Sequence, residues 1–524
     1  MDIAALAGRD EPFALDTTLA DGSRLLARDA LGTRTLFWCR AADGIRTAGT
    51  PGELLDAAGR EPDRRAITEW LVHRQVLAPA TLFRDVQAMP PGHGAVVAEG
   101  ADNIVPSAFE DSYDLVTAER HAELNRLTDA AIHDELDRTL LASVGRCCAG
   151  AREVGVLMSG GLDSSMLAAM ARQFASVTAL TMAVDGAAGL NEEPAARAMA
   201  ARLGIRHEVV RVSPRTYARQ APVATEALAA PLFHVANVGF NVAFGELLAR
   251  AKALGIARVL AGDSAGTALG VGPGRTTGLR WLLPARRLLA RLPAGLPSAM
   301  LKLALDRGGL PVTAPEFAVS AITGLRAVDD GRRARAYGRA LERVSFLADP
   351  LARAIKATAL GDLVYGLGRF TERAAIVGAR HDVTVELPFH SRAMMRFGLN
   401  LPVRHLMRQR GVRFSTSVEK RTLAAIAPRH LGDARMFDRH GDWASPQTAF
   451  VAPLAPALLT PDGFCAELMK LTPAELEREV AAWRRDPNAL AKHIHLELWG
   501  RTCLRGEDPD ELGARLEAAV SLPR

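Results

Sequence analysis

At 524 residues and 56.0 kDa the chain is longer than one hydrophobic core organises, so two or more domains are expected. A hydrophobic fraction of 48%, a mean hydropathy of +0.05 and the lack of any apolar run of bilayer length exclude a membrane-spanning protein and imply large cores. The net charge of +5 and the pI near 9.1 come from arginines intermixed with 59 acidic residues, so no nucleic-acid partner is indicated.

The opening MDIAALAGRDEPF has no basic stretch followed by an apolar one, so no secretory signal is expected and a cytoplasmic protein is. The five cysteines, Cys39, Cys147, Cys148, Cys465 and Cys503, are odd in number and without CxxC spacing, which suits reduced thiols and neither a disulfide framework nor a zinc site. From Ser23 to Val97, short apolar alternations such as TLFWC and HGAVVA, broken by Gly, Asp and Pro, predict a β-rich domain with a helix near Arg65 to Leu71. Polarity rises from Ala98 to Asp114 around Pro106, which predicts a linker. Helical periodicity dominates from Glu119 onward, punctuated by the β-branched runs VGVLM, VTALTMAV, HEVVRV and ARVLAG. Strands alternating with helices imply a parallel sheet with ligands at the carboxyl ends of its strands. From about Gly274 to the C-terminus the chain reads as largely helical, as in PAELEREVAAW, Pro473 to Trp483, and no internal repeat is present.

The stretch VGVLMSGGLDSSMLAAMA, Val154 to Ala171, passes from a buried strand through Ser-Gly-Gly into a helix starting near Asp163. A strand that delivers glycines to a helix start presents backbone N–H groups and the positive end of the helix dipole, an anion site. The spacing is not that of a GxxxxGK[ST] loop, since the glycines are adjacent and no lysine follows. Pyrophosphate would be held by N–H groups and by the Ser159, Ser164 and Ser165 hydroxyls. Asp163 has the wrong sign for phosphate but is a ligand for Mg²⁺ carrying the phosphates. A bare SGG is equally explained by a helix N-capped by Ser159 or Asp163; the whole SGGLDSS after an apolar strand favours the anion site.

These residues resemble those of the PP-loop ATP pyrophosphatases, and specifically of the asparagine synthetase class B superfamily, which includes β-lactam synthetases and lasso-peptide macrocyclases. RDALGTRTLFW (Arg28 to Trp38) is similar to that family's RDxLGxRPLYY, and TLFRDVQAMPPGH (Thr81 to His93) to its TLFxGVxxLPPGH. ALTMAVDG resembles the adenine-binding second strand, NEEPAARAMAARLGIRHEVV the DExxYAxxVAxxLGxxHHxV segment, RVLAGDSAGTALG the VVLSGEGxDELxG segment, and VTVELPF the VExRVPF segment. The resemblance implies an α/β protein. Residues 1–112 would form a degenerate Ntn-hydrolase-like, glutaminase-type domain, and residues 113–524 a parallel-sheet PP-loop synthetase domain with a helical extension. It assigns pyrophosphate and Mg²⁺ to Ser159, Gly160, Gly161, Asp163, Ser164 and Ser165, and AMP to Leu157, Val184 and the Ala261-Gly262 turn. The implied cofactors are ATP and Mg²⁺, and the implied chemistry is adenylation of a carboxylate followed by displacement of AMP by an amine, catalysed by positioning and charge neutralisation.

Three departures shape the functional expectation. The residue after Met1 is Asp2, where the family's glutaminases expose a nucleophilic cysteine; the amine is therefore expected from the second substrate. In GEGxDE, Asp263 stands for the first acid, but Gly266 falls where a second Mg²⁺ ligand belongs, leaving Asp163 as the metal residue. A β-lactam synthetase would be expected to carry Tyr at Asp263's place. The lysine of RxxKxxFSP is missing from MFDRHGDWASP, so Arg439 and His440 are the candidate cations there, or are surface loop residues. Lys420 matches a family lysine on a helix, or serves at the helix surface. Glu372 and Arg373 border the family's substrate cleft, or form an intrahelical charged face; Glu386 stands where the family has Arg, which changes the sign of a substrate pocket. His234 and Asn237 resemble a nucleotide-pocket segment, or are core groups. The favoured expectation is an AMP-forming ligase closing an intramolecular amide, most naturally in lasso-peptide macrocyclisation. Its partners would be a peptide or small-molecule carboxylate and a leader peptidase or leader-binding protein. The alternatives are an ammonia-using asparagine-synthetase-like enzyme, a β-lactam synthetase, or a non-catalytic nucleotide-binding scaffold.

Overall fold

Short runs punctuated by Gly and Asp cannot sustain helices, and in the N-terminal part they pair locally as antiparallel strands. These are β1 (Ala14–Thr18), β2 (Arg24–Arg28), β3 (Phe37–Ala41), β4 (Gly44–Ala48), β5 (Val86–Ala88), β6 (His93–Val97) and β7 (Ser107–Ala108), arranged in two sheets, β1-β2-β6-β7 and β4-β3-β5. Their facing side chains, among them Leu26, Leu36, Trp38, Met89 and Val97, form a small core of their own. The expected helix spans Arg64–His73, its first amides (Arg65 and Ala66) bonded to Asp63 Oδ1 at 2.8 and 3.0 Å. The structure, a computed structural model, describes residues 3–73, 75–101, 103–185, 192–232, 240–270, 317–319, 326–328, 332–365, 368–407, 409–410, 413–414, 420–432 and 450–521.

The stretch expected to be a linker is partly built into the first sheet. Ser107 and Ala108 pair with Gly94 and His93, and Asp111 caps a turn at Ser112–Leu115. A strand of two residues is too short to show alternation, and Gly92 makes it possible: its carbonyl accepts from the Phe109 and Glu110 amides at 2.9 and 3.2 Å.

The four β-branched runs form parallel strands: β8 (Glu153–Leu157), β9 (Ser176–Val184), β10 (Arg206–Val212) and β11 (Arg258–Leu260). An antiparallel hairpin, β12 (Phe317–Val319) with β13 (Arg326–Val328), stands outside their sheet. A fifth parallel strand, β14 (Thr384–Glu386), pairs with β11 and completes the order β10-β9-β8-β11-β14. The chain therefore builds outward from β8 to β10 and then returns to the other side of β8, so the order reverses between β8 and β11. Loops leaving the carboxyl ends of these two strands diverge there and leave a crevice. Apolar layers cover both faces: one contains Leu136, Leu140, Met166, Leu167 and Phe397, and the other joins Trp70 and Phe83 to Tyr217, Phe244, Phe450 and Trp499. The second layer fuses the N-terminal sheets to the parallel sheet, and two ion pairs, Arg28–Glu372 and Arg34–Glu386, cross the same boundary. Among the described residues after Gly274, helices dominate, and no helix is long and apolar enough to cross a membrane.

Candidate active site

Strand β8 ends at Leu157, and the helix Leu162–Ala171 begins four residues later with Gly161 as its N-cap residue, whose lack of a side chain leaves the first amides of the helix uncapped. Between them Gly160 takes φ +78°, and a Cβ there would lie 2.5 Å from the Ala195 carbonyl carbon and 2.7 Å from the Ala196 nitrogen. Glycine is needed twice over, for the left-handed backbone and for the close approach to the helix Glu193–Leu203. The hydroxyls hold the loop to itself: Ser159 Oγ lies 3.2 Å from Ser164 Oγ and accepts from the Gly161 amide at 3.2 Å, while Ser164 Oγ accepts from the Ser159 amide at 3.3 Å. Ser165 Oγ is buried with no partner among the described residues. The turn is thus ordered in advance around a helix start whose amides receive no side-chain cap from Gly161, an arrangement suited to a phosphate cradle.

Across the strand-order reversal, β11 delivers Ala261, Gly262 and Asp263 to the same place. The Ala261 amide donates to the Glu386 carbonyl at 2.9 Å, and a Cβ on Gly262 would stand 3.2 Å from Asp163 Cβ, so the two loops are in contact. Asp163 Oδ2 accepts from the Lys420 ammonium, whereas Asp163 Oδ1 is buried and has no hydrogen-bond partner among the described residues. Burial and the neighbouring Asp163 carboxylate push the Asp263 carboxyl up to about 7, with Lys420 opposing. An orphaned buried carboxylate oxygen beside a second carboxylate fits a hard cation. Mg²⁺ commonly takes one or two protein carboxylates and fills its remaining positions with phosphate oxygens and water. No cluster of three or more His, Cys, Asp or Glu side chains among the described residues could hold a metal by itself, so a cation here would depend on phosphate ligands.

The structure therefore brings together Leu157, Ser159, Gly160, Gly161, Asp163, Ser164, Ser165, Ala261, Gly262 and Asp263. Val184 ends the neighbouring strand β9. Lys420, for which the sequence offers either a family-lysine match or a helix-surface role, precedes the helix Arg421–Leu431 and reaches Asp163; the match is the signal that points there. Arg28 donates to Glu372 at 3.1 Å, its one anionic partner among the described residues, and otherwise to the carbonyls of Gly32, Arg34 and Met89. Glu386, expected to reverse a pocket's charge, has that charge met by Arg34 at 3.3 Å. Arg439, His440, His234 and Asn237 lie outside the described residues. All five cysteines are free, and burial raises every thiol, that of Cys148 to about 11 and that of Cys503 to about 12.

Comparison with known proteins places the chain in a family. The asparagine synthase family model matches residues 135–440, and the glutamine amidotransferase domain model matches residues 13–108. Asparagine synthetase [glutamine-hydrolyzing] 1 of Bacillus subtilis is 26% identical over 198 residues, covering 37% of this chain and 30% of that protein. A putative asparagine synthetase [glutamine-hydrolyzing] of Mycobacterium tuberculosis is 30% identical over 226 residues, covering 40% of this chain and 34% of that protein. The chain thus spans about a third of the length of these curated relatives.

Proposed function

The chain belongs to the asparagine synthase family, and on that premise we propose that it is an ATP-dependent, AMP- and pyrophosphate-forming amide ligase. The observation that carries the reading is the uncapped, pre-ordered Ser159–Ser165 turn facing Asp263 at the strand-order reversal, with the orphaned Asp163 Oδ1 between them. A substrate carboxylate oxygen attacks the α-phosphorus of ATP, the bond from that phosphorus to the bridging oxygen breaks, and pyrophosphate leaves. An amine nitrogen then attacks the acyl carbon, AMP departs with the C–O electron pair, and the amine gives up a proton. The loop amides and the serine hydroxyls hold the departing pyrophosphate, Lys420 offsets negative charge, and Leu157, Val184 and Ala261-Gly262 line the AMP position. Asp163, together with phosphate oxygens, would hold a Mg²⁺ ion, which would supply charge neutralisation on the leaving group. Asp263 is the acid beside the reacting carbonyl.

Burial shifts all five thiols in this sequence upward, the direction opposite to that of an activated nucleophile. This supports an amine supplied by the second substrate and not by glutamine hydrolysis at these cysteines. We favour an amine on the same molecule as the carboxylate, as in closing an isopeptide ring in a lasso peptide freed from its leader by a separate peptidase. Residues 1–112 would then act as a structural remnant of a glutaminase-type domain and residues 113–524 as the synthetase. Similarity to asparagine synthetases favours a second reading, in which free ammonia aminates a small carboxylate such as aspartate. Carboxylate-dependent exchange of pyrophosphate into ATP tests the shared step. Exchange with a peptide precursor but not with aspartate supports ring closure, asparagine formation from aspartate and ammonium supports the second reading, and no exchange with any carboxylate contradicts both.

A further inference from the structure

Ser264, directly after Asp263, has φ +71° and ψ −10°, the left-handed region that L side chains rarely adopt. In the GEGxDE motif glycine occupies this place, and glycine takes that conformation at no steric cost. Ser264 is also the N-cap residue of the helix Ala265–Leu269, yet its hydroxyl caps nothing, although a serine there ordinarily accepts from an amide of the first turn. Its Oγ lies instead 2.9 Å from His390 Nδ1, and His390 Nε2 lies 3.1 Å from the Leu31 carbonyl. A carbonyl can only accept, so Nε2 carries the proton, Nδ1 presents its lone pair, and the Ser264 hydroxyl donates to it. Both side chains are buried, and burial shifts the His390 pKa downward, toward the neutral ring.

The neighbours leave this joint little freedom elsewhere. Gly262 rests against Asp163, and the backbone of Ala268 abuts Gly398, where a Cβ would come within 2.3 Å of the Ala268 carbonyl oxygen. His390 itself sits on the turn Pro388–His390 that follows β14, the strand paired with β11. Leu31 lies in the RDALG turn, which leaves β2 for β3 in the other N-terminal sheet, so the ring spans from that turn to the acid loop.

We propose that His390 is a positioning residue which stands in for the glycine missing at position 264: by accepting the Ser264 hydroxyl while donating to Leu31, it holds Ser264 left-handed and so sets the Asp263 carboxylate against the loop helix. The N-terminal turn that carries Leu31 thereby becomes part of the synthetase site. The effect on catalysis rests on the ligase reading, whereas the tether itself does not.

A substitution cycle separates the two. His390→Leu is expected to lower carboxylate-dependent pyrophosphate exchange at saturating ATP on the order of 10²-fold, the scale of a misplaced catalytic group, with ATP affinity unchanged. In a Ser264→Gly background the same substitution should have little effect, because glycine needs no tether. His390→Gln, whose amide offers both a donor and an acceptor, should retain more activity than His390→Leu and guards against a variant that fails to fold. Ring ¹⁵N shifts should show His390 neutral with the proton on Nε2. Additive losses in the cycle, or a ring protonated on Nδ1, would overturn the tether. If the wild type catalyses no exchange, the ligase reading fails on its own, and the ring shifts with the thermal unfolding of the same variants still decide the tether.

Discussion

Replacing Gly160 by alanine probes the conformation on which the phosphate cradle depends. At φ +78° an alanine pays the left-handed penalty of about 1–2 kcal/mol. Its Cβ would also stand 2.5 Å from the Ala195 carbonyl carbon, 2.7 Å from Ala195 Cβ and 2.7 Å from the Ala196 nitrogen. Two of these three are main-chain atoms of the helix Glu193–Leu203 and cannot swing aside, so overpacking adds about 1–3 kcal/mol. The sum is about 2–5 kcal/mol against folding or, if the loop yields first, against its cradle geometry. Gly204 at the end of the same helix is the control: it has φ +61° and nothing within 4 Å of an added Cβ, so Gly204→Ala carries only the first part, about 1–2 kcal/mol. Urea unfolding followed by circular dichroism should place Gly160→Ala below Gly204→Ala, and pyrophosphate exchange should fall on the order of 10²-fold in Gly160→Ala alone. A Gly160→Ala protein as stable as the control and still active would refute the loop conformation and its role together.

Lys420→Met should lower exchange on the order of 10²-fold with an unchanged circular dichroism spectrum, since the ammonium faces Asp163 and not a core; retained exchange would remove Lys420 from the site. Gly266→Asp should fold, because a Cβ there meets nothing within 4 Å, and should lower the Mg²⁺ concentration needed for half-maximal exchange; an unchanged Mg²⁺ titration would show that position 266 does not face the cation. Lys356 is buried with its ammonium on the Gly398 carbonyl at 2.8 Å, and burial depresses its pKa to about 7, against about 10.4 in an unfolded chain. Between those values the unfolded state binds the extra proton, so stability rises with pH and is lost as pH falls from the unfolded value toward the folded one. Lys356→Met should abolish that slope between about pH 7 and 10 and raise the melting temperature at neutral pH; parallel melting curves for both proteins across that range would contradict it.

Local chemistry was readable from the chain; long-range pairing was not. The Ser159–Ser165 turn announces itself because apolar strand, glycines and helix start are contiguous, and four of the five parallel strands carry β-branched runs long enough to notice. Strand β14 has three residues and finds its place only by pairing with β11, and β7 has two residues that depend on the Gly92 carbonyl. The Lys420–Asp163, Ser264–His390 and Arg28–Glu372 contacts join residues 257, 126 and 344 positions apart, and no periodicity reports a pairing of that span. Glu386 shows the same limit, for its replacement of a family arginine was visible while the Arg34 that answers it was not.

The most direct test of the whole account is a crystal structure with Mg²⁺ and a non-hydrolysable ATP analogue. The account predicts phosphate oxygens on the main-chain amides that open the helix Leu162–Ala171, with the cation on the Asp163 oxygen that lacks a partner among the described residues. Nucleotide bound elsewhere, or a turn whose amides are closed off by protein atoms when ATP analogue and Mg²⁺ are present at saturation, would contradict it.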